Sequence, residues 1–395
     1  MRVRVSRRFR SRLPSITVCL IVNIGTSLTQ NITLDVFMHQ MQNCTYCEFK
    51  VNVMKNAALY LVTGVSGYLA SWIARQLLEQ GYRVRGTVRS LGDAARADEL
   101  RRLLPGVDLV AADLRAPDGW TAAVAGVDGV FHVASPQAVP SESDRTGGAV
   151  TGTRYLLQAA LACPTVGKIV LTSSEAAIAY GHPRAKQHFT EDDWTVLDGA
   201  AGKNDYFRSK TLAERLAWDM VGDSKINPRG IPLSVINPGF IAGPSLVPWA
   251  RFSLDLIKNL AEGRIPAVPD MLTHVVDVRD CAAMHIAVMA NPATNGHRHF
   301  SFGTEGKMAR IAEVIAERFA TQGYAPRARV IPTWLLGLAR VFSSEIGGLY
   351  SKLGQPNHYE TRWPGVFRYQ YRDFDQIITD SMHSMFAHAW LARRT

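Results

Sequence analysis

The sequence predicts an α/β fold, a doubly wound parallel sheet of Rossmann type followed by a smaller, mainly helical C-terminal lobe. Three observations predict it. From Ala57 onward, short β-branched apolar runs alternate with longer stretches of helical periodicity, as in strands joined by crossover helices. The first run, in LVTGVSGYLASW at 61–72, passes through two glycines three apart directly into a helix. With 395 residues, 47% of them hydrophobic, the chain can bury one large core or two ordinary ones.

Taken in order, strands are expected at Leu59–Thr63, Arg83–Val88, Asp108–Ala111, Gly129–Val133, Lys168–Thr172 and Leu233–Ile236, with helices near 67–80, 94–104, 146–163 and 205–221. After Asn237 the pattern loosens into helices punctuated by Pro and Gly, around 249–263, 279–290, 309–322, 333–347 and 373–389. HFSFG at 299–303 has the pattern of a strand returning to the large sheet. The lobes are then interleaved, 54–240 with 276–303 in the nucleotide-binding part and 241–275 with 304–395 in the other. There are no internal repeats or low-complexity linkers.

The net charge of +10 is concentrated at the start: residues 1–53 hold seven basic and two acidic residues, and the remainder 37 and 32. That leaves a mildly basic surface, which argues against nucleic acid as a partner. The arginine-rich start followed by ITVCLIVNIG has the layout of a targeting signal, but the apolar run is too short to span a membrane. Met54-Lys55 stands directly before the first strand, so residues 1–53 are expected to be an extension outside the fold. Five scattered cysteines suit a reducing, cytoplasmic setting, and CTYC at 44–47 lacks the second ligand pair a metal site needs. The histidines form no metal pattern either.

At the glycine turn, Gly64 permits the tight strand-to-helix bend. Gly67 lets a phosphate approach N–H groups at the helix start, and Ala70 allows close helix–strand packing. Thr63, Gly64, Ser66, Gly67, Tyr68 and Leu69 are therefore the candidate cofactor contacts of this turn. At the end of the second strand, GTVRS supplies Arg89 where a ribose-binding carboxylate would otherwise stand, and a guanidinium there pairs with a 2′-phosphate. NADPH/NADP+ is favoured over NAD, with Arg96 on the next helix either a second cation or a solvated residue.

In YFRSK, Tyr206 and Lys210 lie four apart on a predicted helix and share a face, where an ammonium beside a phenol favours the phenolate. Tyr206 is then a usable general acid–base. VLTSSEAAIAYG at 170–181 ends a strand on Ser173-Ser174, placing a hydroxyl at the carboxyl edge where α/β ligands bind.

Together VTGVSGYLASW, YRVRGTVRS, AADL, DGVFHVASP, VLTSSEAAIAYG, FTEDDW, YFRSKTLAERLAW and INPGFIAGP resemble the extended short-chain dehydrogenase/reductases. The likeness is to their dihydroflavonol-reductase-like and cinnamoyl-CoA-reductase-like branch, with its bacterial and fungal aldehyde reductases, from about Met54 to about residue 303. The resemblance implies Ser174 as the carbonyl-orienting hydroxyl, Tyr206 as proton donor, and Lys210 as the residue that lowers the tyrosine pKa and holds the nicotinamide ribose. It also implies Asp113 and Leu114 beside adenine, Val133, Ala134 and Ser135 along the cofactor, and Pro238 near nicotinamide. The implied activity is NADPH-dependent reduction of a small aldehyde or ketone. A nucleotide-sugar epimerase or dehydratase on the same fold and a non-enzymatic NADP-sensing regulator are the alternatives.

Ala179 stands where plant dihydroflavonol reductases have an asparagine that reads the flavonoid ring, which argues against a flavonoid. The chain lacks counterparts to the tryptophan, cysteine and second tyrosine of cinnamoyl-CoA reductases, which argues against a CoA thioester. Two features stay open: the direction of Glu175, directly after the candidate serine, and the contacts of the last 40 residues, where only WPGVFR at 363–368 resembles the family's ending. Oligomeric state has no signature in the sequence.

Overall fold

The computed structural model describes residues 57–136, 145–249, 253–340, 342–364 and 370–392. The expectations for residues 1–53, CTYC included, lie outside the described residues, as does the latter part of WPGVFR. Residues Met54–Thr395 belong to one compact unit.

Its first half runs β1 (Leu59–Val62), α1 (Tyr68–Glu79), β2 (Arg83–Val88), α2 (Ala94–Leu103), β3 (Asp108–Ala111), a short α3 (Trp120–Val124), β4 (Gly129–His132), α4 (Arg145–Ala162) and β5 (Lys168–Thr172). Then come the two-residue β6 (His188–Phe189), α5 (Asp205–Gly222), β7 (Leu233–Pro238), β8 (Phe240–Ala242), α6 (Leu254–Ala261), β9 (Ala267–Pro269) and β10 (Leu272–Asp277). The chain ends with α7 (Val278–Ala290), β11 (Arg298–Ser301), β12 (Thr304–Lys307), α8 (Met308–Phe319), β13 (Arg329–Ile331), α9 (Thr333–Ala339), α10 (Ser344–Leu349), β14 (His358–Tyr359) and α11 (Phe374–Ala387).

Seven strands form one sheet in the order β11-β7-β5-β4-β1-β2-β3, every pairing parallel. The chain winds outward from β1 in one direction through β2 and β3, then in the other from β4. The switch point therefore lies between the carboxyl ends of β1 and β4, where such sheets bind ligands. Alternation along the strands fills both faces: Leu59, Leu61 and Val130 join the core under α3 and α4, while Val62 and Phe131 join the one under α1 and α7. Arg298–Ser301 does pair with β7 at the sheet edge, through partners such as His299 and Ile236.

The second half is less helical than expected. A three-stranded sheet, β12-β10-β8, and two two-stranded ones, β13-β9 and β14-β6, sit among its helices. The helix expected over 333–347 is two helices, because Ser343 Oγ accepts from the N–H of Ile346 and so caps a new start. The helix expected over 309–322 ends at Phe319 and tightens into a 3₁₀ turn closed by Gly323, whose φ of +82° suits glycine. No helix among the described residues is long and apolar enough to cross a membrane.

Candidate active site

Every candidate residue lies at or just past a strand's carboxyl end or on a helix that follows. After β1, Gly64 takes φ +66°, and a Cβ on it would stand 3.0 Å from the Ala134 side chain beyond β4. The turn is pinned from β2, where Thr87 Oγ1 accepts from Gly64 N at 2.9 Å and Thr87 O from Val65 N at 3.0 Å. Gly67 caps α1 with no side-chain acceptor for the helix, whose first backbone bond runs from Ser71 N to Gly67 O. The N–H groups of Tyr68, Leu69 and Ala70 thus find no acceptor among the described residues. They are the donors a helix start offers an anion.

Several candidates serve the turn through backbone or packing rather than an outward side chain. Thr63 is fully buried, and its hydroxyl accepts from Val133 N and Ala134 N at 3.0 and 2.9 Å. That leaves its proton for His132 Nδ1 at 3.0 Å, so the neutral ring donates from Nε2 to Thr153 Oγ1 at 3.2 Å. Tyr68 Oη donates to Gly243 O, and Leu69 is buried in the core. Ser66 O accepts from Trp249 Nε1 at 2.9 Å.

Arg89, at the end of β2, is exposed; no hydrogen bond or close ion pair engages its guanidinium among the described residues, and its charge helps hold the Asp113 carboxyl down. Arg96 does more than face solvent: its guanidinium lies 4.6 Å from the centre of the Trp249 ring, beside the glycine turn. Asp113, past β3, is engaged in a bidentate pair with Arg115, which holds its carboxyl below the ordinary range. Leu114 packs where a Cβ on Gly152 of α4 would strike it at 2.6 Å. Val133, Ala134 and Ser135 follow β4 and are half-buried, and Pro238 closes β7, buried.

Ser174, past β5, and Tyr206, on α5, are brought together. Tyr206 Oη donates to Ser174 Oγ at 3.2 Å, and Ser174 Oγ also accepts from Ala176 N at 3.1 Å. Asn204 starts α5 by accepting from Tyr206 N and Phe207 N, which sets the tyrosine in the first turn. One turn on, Lys210 Nζ donates to Thr172 O at the end of β5, at 3.4 Å.

Behind this group lies a buried polar network that local sequence reading missed. Glu214, a further turn along α5, accepts from Ser173 Oγ at 2.5 Å, from Asn237 Nδ2 at 3.0 Å and from Arg298 Nε at 2.5 Å. Arg298 also donates to the carbonyls of Glu191 and Asp193 and stacks 3.9 Å from the centre of the Trp194 ring. The i, i+4 step from Lys210 to Glu214 was the available signal, a carboxylate on the buried face of the same helix.

Glu175 turns inward. Burial raises its carboxyl pKa, but Lys352, His274 and hydrogen bonds from Lys352 and Tyr359 outweigh that and hold it below the ordinary range. Ala179 is also buried, among Ile178 and Phe189, with Phe300 and Tyr359 packed against them. A cavity of about 560 Å³ opens between α3 and α4 around Trp120, Tyr155 and Cys163. Neither Ser174 nor Tyr206 lines it.

A parallel sheet with a glycine turn at its switch point and a Ser/Tyr/Lys group on its carboxyl edge defines an extended short-chain dehydrogenase/reductase. Comparison with known proteins agrees: residues 60–303 match the NAD dependent epimerase/dehydratase family, and the chain belongs to it. Among curated relatives, a cinnamoyl-CoA reductase of Medicago truncatula is 34% identical over 267 residues, covering 65% of this chain and 80% of the relative. Tetraketide alpha-pyrone reductase 2 of Arabidopsis thaliana is 33% identical over 247 residues, covering 60% and 75%. Among solved structures, yeast methylglyoxal/isovaleraldehyde reductase complexed with NADPH superposes with a TM-score of 0.64 at 20% identity, covering 85% of this chain and all of that one. Alfalfa vestitone reductase gives 0.64 at 24%, covering 84% and 99%. At such identities the structural likeness speaks for the fold.

Proposed function

We propose that this chain is an NADPH-dependent reductase that converts a small aldehyde or ketone to the alcohol, with Tyr206 as general acid. The observation that carries the reading is the hydrogen bond from Tyr206 to Ser174 at the carboxyl edge of the sheet, with Lys210 anchored one turn along the same helix.

The residues present fit a phosphorylated dinucleotide. The unpaired N–H groups at Tyr68, Leu69 and Ala70 suit its diphosphate, and side chains at Gly64 or Gly67 would fill the turn. Arg89 is open to a 2′-phosphate, with Arg96 and its Trp249 platform beside the turn. Asp113 and Leu114 would flank the adenine, Val133, Ala134 and Ser135 the middle of the molecule, and Pro238 the nicotinamide. When bound, NADPH supplies the hydride.

The chain's own residues manage the oxygen. Ser174 Oγ already accepts twice, so its proton is available to a carbonyl oxygen lying between it and Tyr206. As negative charge builds on that oxygen, Tyr206 gives up its proton, and the ammonium of Lys210 on the same helix face favours the phenolate left behind. Lys210 would also hold the nicotinamide ribose. In this reading residues 54–240 with 276–303 bind the cofactor, while 241–275 with 304–395 enclose the substrate. The free, buried Cys163 and Cys281 fit a reducing, cytoplasmic setting.

Arg89 in place of a carboxylate favours this reading over a sugar-nucleotide epimerase holding NAD. A cofactor sensor would have no use for the Ser/Tyr/Lys group. A panel of aldehydes and ketones offered to purified protein with NADPH or NADH tests the proposal. NADPH oxidation coupled to alcohol formation is expected, and no turnover of any carbonyl, or a preference for NADH, would sink it.

A further inference from the structure

Glu175 follows Ser174 directly and is buried, a placement that requires a partner, because a lone buried carboxylate is strongly disfavoured. The partners come from far along the chain. Lys352 Nζ and Tyr359 Oη both donate to Glu175 Oε1, and Lys352 Nζ donates to Tyr359 Oη at 2.6 Å. Lys352 is itself buried, with its ammonium 4.6 Å from the centre of the Tyr180 ring, and Tyr180 stacks at 4.1 Å on Phe207, the neighbour of Tyr206.

The segment that carries these partners packs against the first turn of α5 and the turn that precedes it. Leu349 packs against the buried cluster of Ala176, Ala201 and Phe207, against which Tyr206 also packs. Gly347 and Gly348 come so close that a Cβ on either would lie 2.7 Å from Ala200 Cβ and 2.9 Å from the Phe207 ring respectively. Tyr359 continues the contact on the other side of Glu175, meeting Phe189 face to face at 5.4 Å and the edge of His274 at 4.6 Å.

We propose that Glu175, Lys352 and Tyr359 form a clamp that fixes residues 344–359 as one wall of the carbonyl site, so that Glu175 and Lys352 are positioning residues that limit the size of carbonyl admitted. The inference rests on the reductase reading. An ion pair spanning 177 residues is the fastener, and its carboxylate end sits on the residue next to the carbonyl-orienting serine. The wall it holds places Leu349 on the same buried cluster that Tyr206 packs against.

The test uses the full chain and the double variant Glu175→Gln/Lys352→Met. Removing one charge alone would strand the other in the interior, whereas removing both leaves no uncompensated charge and keeps the fold accessible. Tyr359→Phe is the second, milder variant. Hydrogen exchange across 344–359 should quicken by about tenfold or more in the double variant, with exchange in the central strands unchanged. The ratio of kcat/KM for a bulky aryl aldehyde to that for a short aliphatic aldehyde should rise by about tenfold, with KM for NADPH unmoved. Unchanged exchange overturns the clamp, and faster exchange with an unchanged ratio overturns the wall. If the wild type reduces no carbonyl, the reductase reading and the wall fall together, while the exchange measurement still decides the clamp.

Discussion

Asn237 ties the backbone carbonyl of Ser174 to the carboxylate of Glu214, its Nδ2 donating to the two at 3.1 and 3.0 Å. Both partners are acceptors, so the amide can face only one way, and its Oδ1 is left without a donor among the described residues. The orientation of the serine loop thus depends on a side chain from β7. Asn237→Leu removes both bonds in a fully buried place. Ser174 O keeps Ala177 N and Glu214 keeps Ser173 and Arg298, so the expected cost is that of the lost bonds, about 0.5–1.5 kcal/mol at the carbonyl and about 1.5–3 kcal/mol at the carboxylate. Urea unfolding gives the stability loss, and kcat should fall as well, since Ser174 is held less firmly; a variant as stable and as fast as wild type would refute the positioning role.

Arg298 compensates Glu214 where neither reaches solvent freely, at 7% and 1% exposure. Arg298→Met leaves the carboxylate unpaired on the helix that carries Tyr206 and Lys210, a change expected to cost about 3–5 kcal/mol. Adding Glu214→Gln should recover part of that loss. Equal stabilities for the single and double variants in a denaturant titration would show that the pair is not coupled.

In the proposed function, cofactor choice rests on Arg89. Without its guanidinium a 2′-phosphate loses a charge-assisted contact, so Arg89→Ala should raise KM for NADPH by about tenfold or more, a loss of about 1.5–3 kcal/mol. NADH has no such phosphate, and its kinetics should change little. Steady-state rates with both cofactors decide it, and equal effects on both would place the phosphate elsewhere.

The large sheet was legible because its strands are β-branched runs bounded by turn residues; Arg83–Val88, Asp108–Ala111 and Lys168–Thr172 begin and end where the sequence puts them. The small sheet was not, because β8 has three residues and β10, in LTHVVD, runs straight into the helix that dominates the local pattern. At the site, Ser174, Tyr206 and Lys210 stood out because the serine ends a strand and the other two are one helical turn apart. Lys352 and Tyr359 left no trace, since their partner Glu175 lies at a distance that only the folded chain closes.

Stability should fall on mild acidification because of three buried imidazoles. Burial, helped by the nearby charge of Lys210, pushes His132 down to about 3, and burial pushes His285 and His299 to about 4. His285 is kept neutral by burial, against the bond from Nδ1 to Cys281 O at 2.7 Å, which favours the proton; Nε2 of the neutral ring accepts from Thr172 Oγ1 at 2.8 Å. Unfolded, each ring takes a proton near its ordinary value of 6.5, so the unfolded state binds more protons below that pH. The stability is fully present above about 6.5 and is lost as pH falls toward 4, by about 1.4 kcal/mol per pH unit for each ring. Urea midpoints at pH 7.5, 6 and 5 should decline in that order, and less steeply for His299→Gln; a flat profile would contradict it.

The hydroxyl of Tyr206 is the group that most sharply separates a reductase from a cofactor-binding module of the same fold. Reduction of a carbonyl builds alkoxide charge that must be met by a proton within hydrogen-bond reach, and Tyr206 Oη already reaches Ser174 Oγ. Tyr206→Phe keeps the half-buried ring and its packing with Ala176 and Phe207, so folding and NADPH affinity should be preserved. The rate of carbonyl reduction should nevertheless fall by a factor on the order of 10² or more, the scale of a lost general acid. Lys210→Ala removes the charge that supports the phenolate and the contact to the ribose, so it should weaken both the rate and cofactor binding. Stopped-flow NADPH oxidation beside a fluorescence titration of cofactor binding resolves the two effects. A Phe variant as fast as wild type in the reductive step would remove Tyr206 from the chemistry, and a Lys210 variant with normal cofactor affinity would remove Lys210 from the ribose.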